Sequence, residues 1–283
     1  MPLPPVSIPN SEVRTLYSKS VGQEYSILIS LPMNYAKSNG RFPILYVLDP
    51  DLIFGWVTDW VRAASFLRAL GPKATTDSIV NVPDLIVVGI GYPLAVAEQP
   101  RLHWGLRCRD LTPTKMSEDK PWGGSTGGAP RFLRFIRDEL MPCVNSNYRT
   151  GPEDSAIVGH SAGGLFALYV LFHEPEAFRR YVASSPFLWW DHKVTFTYEQ
   201  EYANKHADLT AKLFLSAGTL EELDGFHMTS NLKEFARILK KRKYRSLELK
   251  SHIFEDEAHM SVIGTAICKG ITSVFSKSTT KSA

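Results

Sequence analysis

Cysteine is scarce in this chain: Cys108, Cys143 and Cys268 are the only three in 283 residues. An odd number at wide spacing fits neither a disulfide framework nor a zinc site, so no metal is expected, and sparse thiols suit a reducing, cytoplasmic setting. None of the three sits in a turn motif, which disfavours a Cys-His nucleophile. Long apolar runs are missing too. Nothing approaches the roughly 18 consecutive apolar residues of a membrane span, and residues 1–14 (MPLPPVSIPNSEVR) lack the basic start, apolar stretch and small-residue cleavage site of a secretory leader. A surplus of one charge is equally absent. Lys and Arg number 32 against 29 Asp and Glu, a formal charge of +3, too little for the basic stripe that neutralises many phosphates. The one basic run, residues 240–243, follows an amphipathic segment from Ser230 and suits the negative end of a helix dipole. Neither nucleic acid nor membrane is expected as a partner.

What is present is the composition of a globular protein with a large core, 44% hydrophobic and 22% charged, with 18 prolines and 19 glycines scattered along it. One domain over residues 1–283 is expected, with an N-terminal arm over 1–15 and a frayed polar tail over 276–283. Residues 25–32 (YSILISLP) alternate apolar and polar, predicting a half-buried edge strand that enters the sheet antiparallel. Residues 42–48 (FPILYVL) and 85–90 (LIVVGI) are continuously apolar, as central parallel strands covered on both faces must be. Apolar spacing near three and four predicts helices over 56–70, 131–143 and 162–172. Residues 92–130 show no clean periodicity and read as a long loop, a candidate lid. Beyond it come strands at 155–158, 181–184, 212–217 and 247–254 and helices at 230–240 and 261–275, with an irregular polar stretch around His192 and His206. Strands alternating with helices predict an α/β fold: a mostly parallel central sheet with helices on both faces.

Between the strand at 155–158 and the apolar helix after it lies Gly159-His160-Ser161-Ala162-Gly163. This fits G-x-S-x-G, in which a serine on a sharp strand-to-helix turn projects its hydroxyl away from the sheet. The bare pattern is common; its setting is what makes Ser161 a candidate nucleophile rather than a serine that merely caps a helix. A serine hydroxyl needs an imidazole to remove its proton and a carboxylate to hold that imidazole, and in this type of fold the acid and then the histidine follow the serine. Of the later histidines only His259 follows the last predicted strand and precedes the last helix, in a loop at the strand's carboxyl end. For the acid, Glu221 lies three residues past the strand-ending Gly218, with Glu222 and Asp224 as alternatives. The oxyanion formed in acyl transfer needs preorganised donors. Ala162 N–H, directly after the nucleophile, is one. The other belongs to the segment 48–52 (LDPDL), where Pro50 has no N–H, which leaves Asp51, or else Leu52.

These segments resemble the esterase family of α/β-hydrolases that includes S-formylglutathione hydrolases, feruloyl esterases and ferric-siderophore esterases. The resemblance runs through FPILYVLDP (42–50), VGIGY (88–92), RDLTPT (109–114), FLRFIRDEL (132–140), GHSAGGLFALY (159–169), SSPFLWWD (184–191), GTLEE (218–222) and EAHMSV (257–262). It implies the α/β-hydrolase fold and, without any cofactor, hydrolysis of a small-molecule ester by Ser161 and His259, with Glu221 at the family's acid position. The family often has glycine where this chain has Pro50, and some siderophore esterases use a serine–histidine dyad. Trp104, Arg107, Arg109, Phe187, Trp189 and Trp190 are candidates for the substrate pocket, where Trp and Arg would suit an aromatic or anionic acyl group; the tryptophan pair fits core packing equally well. Acyl transfer through the same serine, or a silent binding module on the same fold, are the alternative functions.

Overall fold

The computed structural model describes residues 7–71, 78–93, 98–117, 125–223 and 225–276. Eight strands form one sheet in the order β1-β2-β4-β3-β5-β6-β7-β8. They are β1 Ser11–Ser18, β2 Gln23–Ser30, β3 Phe42–Leu48, β4 Ile86–Gly91, β5 Thr150–His160, β6 Arg180–Ser184, β7 Ala211–Gly218 and β8 Leu247–Phe254. β1 and β2 pair antiparallel, β2 joins β4 antiparallel, and every pairing from β4 through β8 is parallel.

The continuously apolar strands are sandwiched, as their composition requires. Side chains of β3 alternate between two cores: Ile44, Tyr46 and Leu48 join the one that holds helix α5 (Ala162–His173), while Leu45 and Val47 join the one built on α1 (Pro50–Ala69) and α8 (Ile263–Phe275). Helices therefore cover both faces. α1 leaves β3 on one face and α5 leaves β5 on the other, although β3 and β5 are neighbours. Connections that part in this way open a crevice at the carboxyl ends of those strands, where α/β sheets bind ligands.

Three expectations are corrected. Residues 11–15, read as part of an arm, belong to β1, so the strand at Gln23–Ser30 is interior and β1 is the edge. β1 is exposed along most of its length, which removes the apolar alternation that announces a strand. Within 92–130 the chain forms α2 (Pro100–Leu111) and begins α3 (Ala129–Arg134), which continues through a π-helical turn into α4 (Met141–Asn147). α2 escaped detection because its buried face carries His103, Arg107 and Asp110 beside Cys108 and Leu111. The polar stretch is irregular at Asp191, His192 and Lys193, which have left-handed backbone, but beyond them it is helical as the main part of α6 (Trp190–Lys205), whose buried Glu199 is paired with Arg242 of α7 (Met228–Arg242). Among the described residues no helix is long and apolar enough to cross a membrane. The remaining parts of the 92–130 stretch, residues 94–97 and 118–124, lie outside those described, as do 1–6 of the arm and 277–283 of the tail.

Candidate active site

Strand β5 ends at His160 and the chain turns at Ser161, whose φ of 63° and ψ of −121° no ordinary strand or helix residue adopts. The turn is held by close backbone packing. A Cβ on Gly159 would collide with the Gly163 carbonyl group, and one on Gly164 would lie 3.0 Å from the Ser184 carbonyl oxygen. Ser161 N–H donates to that same carbonyl at 2.9 Å. Although Ser161 stands at the N-cap of α5, its hydroxyl makes no capping bond. Its Oγ lies 3.0 Å from His259 Nε2.

His259 follows β8 on the turn that leads into α8, and its Nδ1 is 2.7 Å from Glu221 Oε2. Glu221 is fully buried, just past β7, and its other oxygen accepts from Gly218 N–H at 2.6 Å and from the Ser185 hydroxyl at 2.7 Å. Three partners satisfy a carboxylate that burial would otherwise penalise heavily. Glu222 takes no part: it accepts from the backbone N–H and hydroxyl of Ser230, at the start of α7. Asp224 lies outside the described residues. The loops carrying acid and histidine are stitched together, since Leu220 N–H donates to the Glu257 carbonyl at 3.0 Å and a Cβ on Gly218 would clash with that carbonyl.

The expected oxyanion donors sit at helix starts. Ala162 is the first residue of α5 and Asp51 the second of α1, where backbone N–H groups have no intrahelical acceptor. Leu52 N–H donates to the Asp49 carbonyl at 3.0 Å, so Asp51 is the better placed of the two candidates. Its side chain is partly exposed, with Oδ2 3.1 Å from His103 Nε2.

Ser161 and His259 open into a cleft of about 380 Å³. Trp104, Arg107, Phe187 and Trp189 line it, joined by Leu52, singled out above only for its N–H, and by Phe226, Met228 and Met260, which sequence reasoning missed. Phe226 stacks on Trp189 with ring centroids 4.6 Å apart, and Phe187 lies parallel to the His259 ring at 5.8 Å. The signal for Phe226 and Met260 was their neighbourhood, one within the acid loop's reach and one adjacent to the histidine.

Two pocket candidates are corrected. Arg109 is absent from the lining; its guanidinium chelates Asp110 at 2.7 and 2.9 Å and reaches Tyr25 and Gln23 of β2. Two residues along a helix means about 200° of rotation, so Arg107 and Arg109 face opposite ways. Trp190 is 1% exposed and donates through Nε1 to Thr114 Oγ1 at 3.0 Å, deep in the core, whereas Trp189 before it faces the cleft. Arg107 lines the cleft, but its charge is taken by Asp49 at 2.7 and 3.0 Å. His160 packs behind the catalytic candidates with its ring 4.5 Å from that of His259. Burial holds its pKa well below the ordinary histidine value, so His160 adds no positive charge beside the His259 ring.

The family described as "Putative esterase" matches residues 18–262, a span that includes Ser161, Glu221 and His259. The chain belongs to this esterase family. It is 31% identical to ferri-bacillibactin esterase BesA of Bacillus subtilis, over 94% of this chain and 89% of that one. It is 30% identical to the siderophore triacetylfusarinine C esterase of Aspergillus fumigatus, over 96% and 95%. Among solved structures it is similar to the BES protein from Bacillus cereus, at 32% identity and a TM-score of 0.83, with 98% and 99% of the two chains covered. The esterase therefore has the α/β-hydrolase fold, and ester hydrolysis is the activity of its family.

Proposed function

We propose that this esterase hydrolyses a small soluble carboxylic ester through an acyl-enzyme on Ser161. The observation that carries the reading is His259 bridging the Ser161 hydroxyl at 3.0 Å and the buried Glu221 carboxylate at 2.7 Å. As Ser161 Oγ forms its bond to the ester carbonyl carbon, His259 Nε2 takes the hydroxyl proton and Glu221 stabilises the imidazolium. The oxyanion lies between Ala162 N–H and Asp51 N–H, at two helix starts whose dipoles favour negative charge. Collapse breaks the carbon–oxygen bond to the alcohol, which leaves with the proton from His259. Water, deprotonated by the same imidazole, then releases the acid and restores Ser161.

The substrate side of the reading rests on the cleft and on the relatives. Tryptophan, phenylalanine and methionine walls suit an aryl or alkyl acyl group. Because Arg107 is neutralised by Asp49, an anionic acyl group finds no unpaired cation among the described lining residues. The relatives named as siderophore esterases put siderophore esters within the class. The test is pre-steady-state: mixed with p-nitrophenyl butyrate, the protein should release a burst of nitrophenol equal to the enzyme concentration, and Ser161→Ala should release none. A parent without a burst whose rate the substitution leaves unchanged would end the reading. Adding a primary alcohol would separate hydrolysis from acyl transfer by the partition of product between acid and new ester.

A further inference from the structure

Arg107 and Asp49 are 5% and 7% exposed, and neither belongs to the serine–histidine–glutamate chain. The guanidinium grips the carboxylate through two bonds, Nε to Oδ1 at 2.7 Å and Nη2 to Oδ2 at 3.0 Å, and Nη2 also donates to the His160 carbonyl at 3.3 Å. One side chain on α2 therefore ties the turn after β3 to the turn after β5. Those are the two turns that carry Asp51 N–H and Ala162 N–H. We infer that the Arg107–Asp49 pair positions the two oxyanion donors and keeps one of them uncapped, an inference that rests on the serine mechanism proposed above.

Asp49 occupies the N-cap position of α1, in the left-handed region at φ 51°. An aspartate at a helix N-cap ordinarily accepts from the second or third N–H of its helix, here Asp51 or Leu52. Asp49 makes no such bond, because its carboxylate is turned onto Arg107. The Asp51 N–H is thereby left for a ligand. The carboxylate is also packed against the elbow, since a Cβ on Gly163 would lie 3.3 Å from Asp49 Oδ2. A buried negative charge so close to Ala162 would repel a developing oxyanion strongly in a water-poor site. The guanidinium cancels that charge, and its rigid fork fixes the direction of the carboxylate, which a lysine ammonium cannot do.

The experiment measures kcat, KM and the inhibition constant of phenylboronic acid, which forms a tetrahedral anion on a reactive serine, for the parent, Arg107→Gln, Arg107→Lys, Asp49→Asn and the Arg107→Gln/Asp49→Asn double variant. Removing one oxyanion donor elsewhere lowers kcat by roughly 10²–10³. Arg107→Gln should accordingly lose about 10²-fold in kcat and in kcat/KM alike, with KM within about threefold, the pattern of an interaction made only in the transition state. Boronate affinity should fall by the same factor. Arg107→Lys should recover little, and the double variant should recover about tenfold, because no uncompensated carboxylate remains. Should Arg107→Gln fail to fold, as judged by its melting transition, the near-isosteric Asp49→Asn carries the test through the same parallel loss of kcat and boronate affinity. A rise in KM alone, or a fall in kcat that boronate affinity does not follow, would overturn the positioning role and leave the serine mechanism standing. Ser161→Ala as active as the parent would overturn both.

Discussion

Replacing Glu221 with glutamine tests whether the carboxylate is needed or whether Ser161 and His259 suffice. The side chain keeps its shape, and its amide oxygen can still accept from Gly218 N–H and the Ser185 hydroxyl, now at 2.6 and 2.7 Å. The amide NH2 then faces His259 Nδ1, 2.7 Å from where Oε2 was. Two donors cannot share that contact, so the imidazole must carry its proton on Nε2, the atom that has to accept from Ser161. The corresponding carboxylate-to-amide exchange in a serine protease lowers kcat by about 10⁴ through this wrong tautomer. For Glu221→Gln we expect a loss of about 10³–10⁴ in kcat, equivalent to roughly 4–5.5 kcal/mol of barrier at 1.36 kcal/mol per tenfold. Losing the charge from two bonds inside a fully buried site should also cost about 1.5–3 kcal/mol of folding stability. The assay is steady-state hydrolysis of p-nitrophenyl butyrate beside urea unfolding followed by tryptophan fluorescence. A folded Glu221→Gln protein within threefold of the parent's kcat would refute the reasoning and establish a dyad.

Glu222→Gln, one residue away, should keep full activity while lowering stability by about 0.5–2 kcal/mol in the same denaturation assay, because Glu222 meets Ser230 and His227 at the start of α7 and not His259. Gly159→Ala should fail to give a soluble, cooperatively unfolding protein on circular dichroism, since the added methyl collides with the Gly163 backbone. His160 is held neutral by burial, while in the unfolded chain it titrates near 6.5. The unfolded state then binds the extra proton, so stability should be intact above about pH 6.5 and fall below it by up to about 1.4 kcal/mol per pH unit; urea midpoints from pH 7.5 to 5 should steepen there, and His160→Gln should flatten the slope. Phe226→Ala, which removes the partner stacked on Trp189, should raise KM for aryl esters several-fold more than for acetate esters, as a substrate series would show.

The candidate site was legible where chemistry follows chain order. A glycine-flanked serine after an apolar strand, a carboxylate just past a strand-ending glycine and a histidine before the last helix are each positions along a sequence, and coordinates bring Ser161, Glu221 and His259 within hydrogen-bonding distance. The sandwiched strands were legible for a similar reason, since burial on both faces forces every residue to be apolar. Where polarity and burial part company, the sequence misled. α2 and α6 hide charged residues, Arg107 and Asp110 in one and Glu199 in the other, that are buried where a partner from a distant segment meets them, Asp49, the Tyr25 hydroxyl and Arg242 in turn. The exposed edge strand β1 carried no apolar alternation for the opposite reason.

By itself, then, the sequence determined the α/β alternation, the strand-to-helix turn at Ser161 and the chain order of Ser161, Glu221 and His259, because local backbone demands and strand burial are written residue by residue. Only the tertiary structure decided which way each side chain faces. It turned Arg109 and Trp190 away from the cleft, gave Glu221 rather than Glu222 to His259, and set Asp49 against Arg107 across 58 positions of chain. Long-range pairing makes those choices: residue spacing sets which side chains share a helix face, but not which face meets the cleft.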